Sequence, residues 1–439
     1  MLLLHPGHPG RAVRLAYCAN VHPGASFGAV LEGLESVTLP LRERLAPGQP
    51  FGVGMYLPAS VALALAEGET NREREYLADF LEDNGLDPFT WNAFPYGGFG
   101  EQGLKERVFL PAWDEPERVM YTAACANLAT LFAGPARSGA PGQAARHLSI
   151  STHTGMHASQ RADHDQELAR EALLMTAEGF AGLEEASGWR CILSLEAEPR
   201  ANCNDTAELA ALHAQLHAEF EDESDLMRRY LGTCLDACHA AVEFEDPAAA
   251  FANATASGVS LGKLQLTSAL SLSEPAKHGA ARERLLAMAE ERYLHQVTAR
   301  GPGGPGGSGG KLARADDLPA AEALWTAGDA DWREAAEWRC HFHVPLDRDT
   351  LGGQDPHDPD DPQDSGALTT TRTAAAAQLA TVLADPERWG TDELHVELET
   401  YTWDVLPAEA RGPGALVDAL EREYRHALEL LASHGWTPA

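Results

Sequence analysis

Apolar residues in this chain fall in short dense runs, each followed by a longer stretch in which Ala, Leu and Glu recur at helical spacing. The runs at 15–21, 51–57, 88–94, 147–152, 191–198, 231–236, 259–267 and 394–402 have strand length. Between them lie amphipathic segments, clearest at 28–45, 72–84 and 163–187. Strands alternating with helices predict parallel βαβ units, and eight of them predict one α/β domain over 1–439, a (β/α)8 TIM barrel. Gly85, just past the second helical segment, suits a C-cap.

The seventh and eighth runs are too far apart for a single helix to join them. The interval holds a helical stretch at 280–291 and two strand-like runs at 293–298 and 338–344. These predict a hairpin-like insertion, 271–366, beside the active-site mouth. Within it, 301–310 is nearly all Gly and Pro, and 347–366 is rich in Asp, Pro and Gly. Neither can bury enough apolar surface to order itself, so both are expected to be disordered, mobile loops.

In such a barrel the chemistry sits at the C-terminal strand ends. The fifth strand ends with Glu196 and Glu198, which share a face because side chains alternate. The sixth ends with Asp236 and continues to His239, a DxxH that can grip a divalent metal. The eighth carries Glu397 and Glu399. One carboxylate from each of these strands plus a histidine makes a coherent metal site, although a lone strand-end acid such as Asp236 is often only a helix N-cap. On the seventh strand Lys263, Gln265 and Thr267 share a face. The chain has only four lysines, so an inward Lys263 either binds substrate or forms a buried salt bridge to one of these carboxylates. The insertion adds His341 and His343, two imidazoles on one strand face, with His295 on the presumed partner strand. They are metal ligands or hydrogen-bonding anchors for the insertion. His22 and His153, ending strands one and four, could line the same mouth, although each taken alone reads as structural.

Charge narrows the partners. Against 33 Lys and Arg stand 66 Asp and Glu, a formal charge of -33, which repels nucleic-acid phosphates and anionic membranes at long range. No DNA partner is expected. No run of about 18 apolar residues occurs, so no membrane insertion is expected, and a cytoplasmic location follows. Seven cysteines, most in core-like runs, read as reduced thiols.

The segments 17–24 (YCANVHPG), 92–97 (NAFPYG), 236–247 (DACHAAVEFEDP), 341–345 (HFHVP) and 399–407 (ETYTWDVLP) together resemble the metabolite traffic protein EboE family. That family is similar to the xylose isomerase-like barrels, which include sugar epimerases and endonuclease IV-type zinc enzymes. Carried over by motif, the resemblance implies a metal set of Glu196, Asp236, Gln265 and Glu399. Glutamine stands where the relatives have a histidine, and His239, His341 or His343 could replace it. The endonucleases also use the DxxH histidine and a later pair spaced two apart, which leaves a two- or three-metal site open.

The resemblance implies a divalent metal (Zn, Mn or Mg), a small-molecule metabolite, and partner proteins from the same operon. Three readings stay open. The first is a metal-dependent isomerase or epimerase in biosynthesis or export of a metabolite, with Glu196 and Glu399 exchanging a proton with carbon and Lys263 a further catalytic candidate. The second is a zinc-dependent phosphoester hydrolase. The third is a non-catalytic metabolite-binding protein.

Overall fold

The computed structural model describes residues 1–68, 71–98, 103–134, 146–303, 310–351, 368–407, 411 and 414–439. Its strands are β1 (Leu2–Leu4), β2 (Ala12–Cys18), β3 (Phe51–Tyr56), β4 (Leu86–Asn92), β5 (Leu148–His153), β6 (Cys191–Glu196), β7 (Leu231–Asp236), β8 (Ser260–Gln265), β9 (Ser268–Ser273), β10 (Val297–Arg300), β11 (Leu312–Ala315), β12 (Glu337–Val344), β13 (Leu368–Thr370), β14 (Glu393–Leu398) and β15 (Thr437–Pro438). Strands β2 to β8 pair in order, all parallel, and β14 closes the ring by pairing with both β8 and β2. The result is a closed eight-stranded parallel barrel with helices outside it, and its strands coincide with the eight runs read from sequence. Strand β1 adds antiparallel to β2, and β15 adds antiparallel to β1.

The helices follow local rules. Asn71 caps helix Arg72–Asp83 by accepting from the Glu73 and Arg74 N–H groups, and Gly188, in the left-handed region at φ 75°, ends helix Gln166–Ser187. The segment expected as one helix at 28–45 is Phe27–Gly33 and Leu39–Leu45 joined by a π-turn at Leu34–Thr38. Pro40 supplies no N–H, and the Leu39 N–H reaches back to Leu34 O instead, widening the turn.

The segment between β8 and β14 is more than a hairpin. It forms a five-stranded antiparallel sheet in the order β11-β10-β12-β9-β13, with its own apolar cluster around Leu270, Trp332, Trp338 and Phe342. Strand β9 starts three residues after β8 ends, and β11 and β13 are too short to leave a periodic signal. The helix expected at 280–291 is Gly279–Leu286, and the strand expected at 293–298 is Val297–Arg300. Within the two segments expected to be mobile, 304–309 and 352–366 lie outside the described residues.

Arg200, on the loop after β6, fastens this sheet to the barrel. It donates to Glu243 Oε1 at 2.8 Å, Thr298 Oγ1 at 2.6 Å and Val297 O at 3.2 Å, and Glu243 also accepts from Arg314 at 2.8 Å. The sheet thereby leans over the C-terminal ends of β6 and β7. All seven cysteines are buried and free. No helix among the described residues is long and apolar enough to cross a membrane.

Candidate metal centre

The barrel interior below the mouth is polar. Lys263, fully buried, reaches Glu397 Oε2 at 2.5 Å and also donates to Asn92 Oδ1 at 3.1 Å and Trp91 O at 3.2 Å. Asn92 donates to Glu397 Oε1 at 2.9 Å. Gly54 makes room for this carboxylate, since a Cβ there would stand 1.7 Å from Glu397 Oε1. Of the two alternatives for Lys263, the geometry fills the salt bridge. Its side chain is also absent from the lining of the mouth cavity.

Above this layer, β6, β7 and β14 bring Glu196, Asp236 and Glu399 together, with one carboxylate oxygen of each within 4.8 Å of the others. Asp236 Oδ1 accepts from the Cys238 and His239 N–H groups at 2.6 and 3.0 Å, so the N-cap reading holds for one oxygen. Its Oδ2 is buried with no hydrogen-bond partner. Glu399 Oε1 accepts from Asn20 Nδ2 at 2.8 Å. Burial first, then the neighbouring carboxylates Glu196, Asp236 and Glu397, push the Glu399 carboxyl well above its usual range. Burial likewise raises Glu196, against the opposing pull of His239.

The three histidines meet beside them. His239 comes from the helix after β7, while β12 of the inserted sheet delivers His341 and His343. Their Nε2 atoms lie 3.1 Å (His239–His341), 3.0 Å (His341–His343) and 3.3 Å (His239–His343) apart. Each Nδ1 faces an oxygen. His239 Nδ1 lies 3.0 Å from Ala197 O and 3.1 Å from Glu196 Oε1, and His341 Nδ1 lies 2.6 Å from Gln296 Oε1. His343 Nδ1 lies 2.8 Å from Glu399 O. Gln296 donates its own amide N–H to Pro199 O at 3.0 Å, which turns its oxygen toward His341. This network assigns the proton of each neutral ring to Nδ1 and leaves three Nε2 lone pairs converging. In the protein alone a proton relieves that repulsion: despite desolvation, the carboxylates of Asp236, Glu196 and Glu198 raise His239 to about 10. Burial lowers His343 to about 4 and His341 well below the ordinary imidazole value.

The donor set fits a metal ion. Separations of 3.0–3.3 Å approach the roughly 3.4 Å edge between nitrogens sharing a tetrahedral zinc. His239 and His343 form with Asp236, whose Oδ2 has no hydrogen-bond partner, a group whose donor atoms lie within 4.8 Å. Gln265 is placed differently: its Nε2 donates to Asn92 Oδ1 at 3.2 Å and its Oε1 accepts from the Cys234 thiol at 3.1 Å. His295 is an anchor, stacked on Phe342 at 3.7 Å with Nδ1 3.0 Å from His341 O. His22 bonds Tyr17 OH at 2.9 Å, and His153 packs behind Phe94 and on Phe109; neither histidine lines the cavity itself.

A cavity of about 30 Å³ remains between Asn92, Phe94, Ser151, Glu198 and Tyr401 on one side and the carboxylate and imidazole groups on the other, room for little more than a water or an ion. Burial raises Glu198 in its wall to about 7. Asn20, Asn92 and Tyr401 lie inside the motif segments quoted above, but Asn20 and Tyr401 stand in short turns after strands and Asn92 ends β4, and no spacing rule singles them out. Gln296 carried no signal.

No family model matches the chain, and no curated protein does. Solved structures it resembles include L-ribulose 3-epimerase, at 12% identity and TM-score 0.43 over 96% of this chain and 95% of that one. D-psicose 3-epimerase with D-tagatose from Clostridium cellulolyticum H10 gives 12% and 0.42 over 96% and 99%. The IolI protein with a bound zinc atom gives 9% and 0.41 over 96% and 99%. At such identities and TM-scores the likeness says nothing of the reaction.

Proposed function

We propose that this chain is a divalent-metal-dependent enzyme that isomerises or epimerises a small hydroxycarbonyl metabolite, with His239, His341, His343 and Asp236 holding the ion. The observation that carries this is the set of three imidazoles locked with Nδ1 toward oxygens and Nε2 toward one another. Such an arrangement is repulsive unless a cation or proton sits among the nitrogens. When bound, the ion would supply positive charge that gathers neighbouring substrate oxygens and favours enolisation.

Glu196 and Glu399 do the proton work. Burial raises both carboxyls above the ordinary range, which makes each a better proton carrier than a solvated carboxylate. One carboxylate takes the proton from the carbon beside the carbonyl. The electron pair moves into the substrate's enediolate, and the other carboxyl returns a proton to carbon. Asn20 orients Glu399 and His239 orients Glu196; because the cavity holds only about 30 Å³, the Phe94 and Tyr401 side chains in its wall must move aside for a hydroxycarbonyl to reach the ion. Lys263 neutralises Glu397 beneath the site, and Gln265 braces Asn92. On the resemblance to the EboE family, the reaction belongs to making or exporting a metabolite in the cytoplasm, alongside other proteins of the same operon.

A phosphoester hydrolase is the second reading, favoured by a separate three-carboxylate set, Glu196, Asp236 and Glu399, that could seat another ion across Asp236. Against it, no Lys or Arg is among the described residues that line the cavity, where a phosphate would need one. Elemental analysis with proton exchange decides between them. One ion per chain, and deuterium from solvent entering the carbon beside the carbonyl of a hydroxyketone, support the isomerase. Two ions with turnover of phosphomonoesters support the hydrolase, and absence of any ion would leave a metabolite-binding protein.

A further inference from the structure

The C-terminal helix Leu416–Ser433 buries Ala419, Leu420, Glu423, Tyr424, Ala427 and Leu431, so one carboxyl stands within a stripe that otherwise packs on the barrel. Glu423 is fully buried, and the charged group beside it, Asp347, has the same sign. Burying such a group is costly unless its oxygens are used. Here both are. The Leu346 N–H donates to Oε1 at 2.9 Å, and Thr400 Oγ1 lies 2.7 Å from both oxygens.

These two donors flank the metal centre. Leu346 is the third residue after His343, where the inserted sheet returns toward the barrel, and Thr400 directly follows Glu399 at the end of β14. Two further ties join the same segments: His343 Nδ1 faces Glu399 O at 2.8 Å, and Thr402 Oγ1 donates to His343 O at 2.8 Å. A third element, the rigid helix, therefore sets the spacing between a histidine from the insertion and a carboxylate from the barrel.

We propose that Glu423 is a positioning residue for the metal centre: by holding Leu346 and Thr400 on one carboxyl it locks the segment carrying His343 to the loop carrying Glu399. This rests on His343 being a ligand, as argued above. A group that orients ligands from behind changes metal affinity about 10- to 100-fold when removed, whereas a group that only stabilises the fold changes the melting temperature and leaves affinity alone.

The test is zinc titration against a competing chelator, on the full chain as wild type, Glu423→Ala, Glu423→Gln and Thr400→Val, with melting of each metal-free protein alongside. Glu423→Ala is expected to bind zinc about 10- to 100-fold more weakly. Glu423→Gln, whose amide oxygen still accepts the Leu346 N–H, should recover most of that loss, and Thr400→Val should fall between them. Wild-type affinity in Glu423→Ala overturns the proposal, as does a Gln variant as weak as the Ala variant. If Glu423→Ala does not fold, Thr400→Val decides, and unchanged affinity there overturns it. A wild-type protein that takes up no zinc instead removes the reading of the centre itself, and this inference with it.

Discussion

His239 and His341 meet Nε2 to Nε2 at 3.1 Å although they stand 102 residues apart, one on the helix after barrel strand β7 and the other on β12 of the inserted sheet. Each is oriented from behind by an oxygen that its own element does not supply: Ala197 O and Glu196 for His239, Gln296 for His341. The centre is therefore assembled at the seam between two cores.

Asp236 has separable duties, since Oδ1 caps the following helix and Oδ2 is free. Asp236→Asn can keep the cap while losing the charge, so it should abolish stoichiometric zinc binding and leave the metal-free melting temperature within a few degrees. Asp236→Ala should in addition lose about 1 kcal/mol from the missing cap. Full zinc occupancy in the Asn variant would place the ion elsewhere.

His343→Gln keeps a donor for Glu399 O but presents a much poorer ligand. Ligation predicts zinc affinity reduced at least about tenfold, with little change in metal-free melting. Anchoring predicts the opposite pattern, a lower melting temperature at unchanged affinity, and that result would return His343 to a purely structural role.

Lys263 and Glu397 form a pair with both side chains fully buried. Lys263→Met leaves the carboxylate without a counter-charge and should cost roughly 3–5 kcal/mol in chemical denaturation. Adding Glu397→Gln to the same chain should restore much of it. A single variant as stable as wild type would show that the pair contributes little.

Glu423 gives stability a pH dependence. Burial raises its carboxyl from 4.5 to about 8 in the folded protein. Between those values the native state holds a proton that the unfolded chain has released. Its contribution is fully present below about pH 4.5 and is lost as pH rises toward 8, by at most about 1.4 kcal/mol per unit. Urea melts at pH 5 and 8.5 should therefore show wild type losing more stability than Glu423→Gln. Equal losses would assign the effect to other groups.

The eight barrel strands and the mouth residues Glu196, Asp236 and Glu399 were legible from sequence, because strand rhythm and side-chain alternation are local properties with short periods. Locality also explains what was missed. Strands β9 and β13 owe their existence to partners far along the chain, β11 is only four residues long, and the expected hairpin became a sheet with its own core. The sequence placed Lys263 and Gln265 on one face but could not say that Glu397 would take the first, or that Asn92 and Cys234 would take the second. Glu423 drew no notice in the sequence, because its role depends on Leu346 and Thr400 arriving beside it. Residue type and spacing determined which donors reach the mouth. Only tertiary packing decided which nitrogen of each histidine turns inward, because that depends on the oxygen waiting behind the ring.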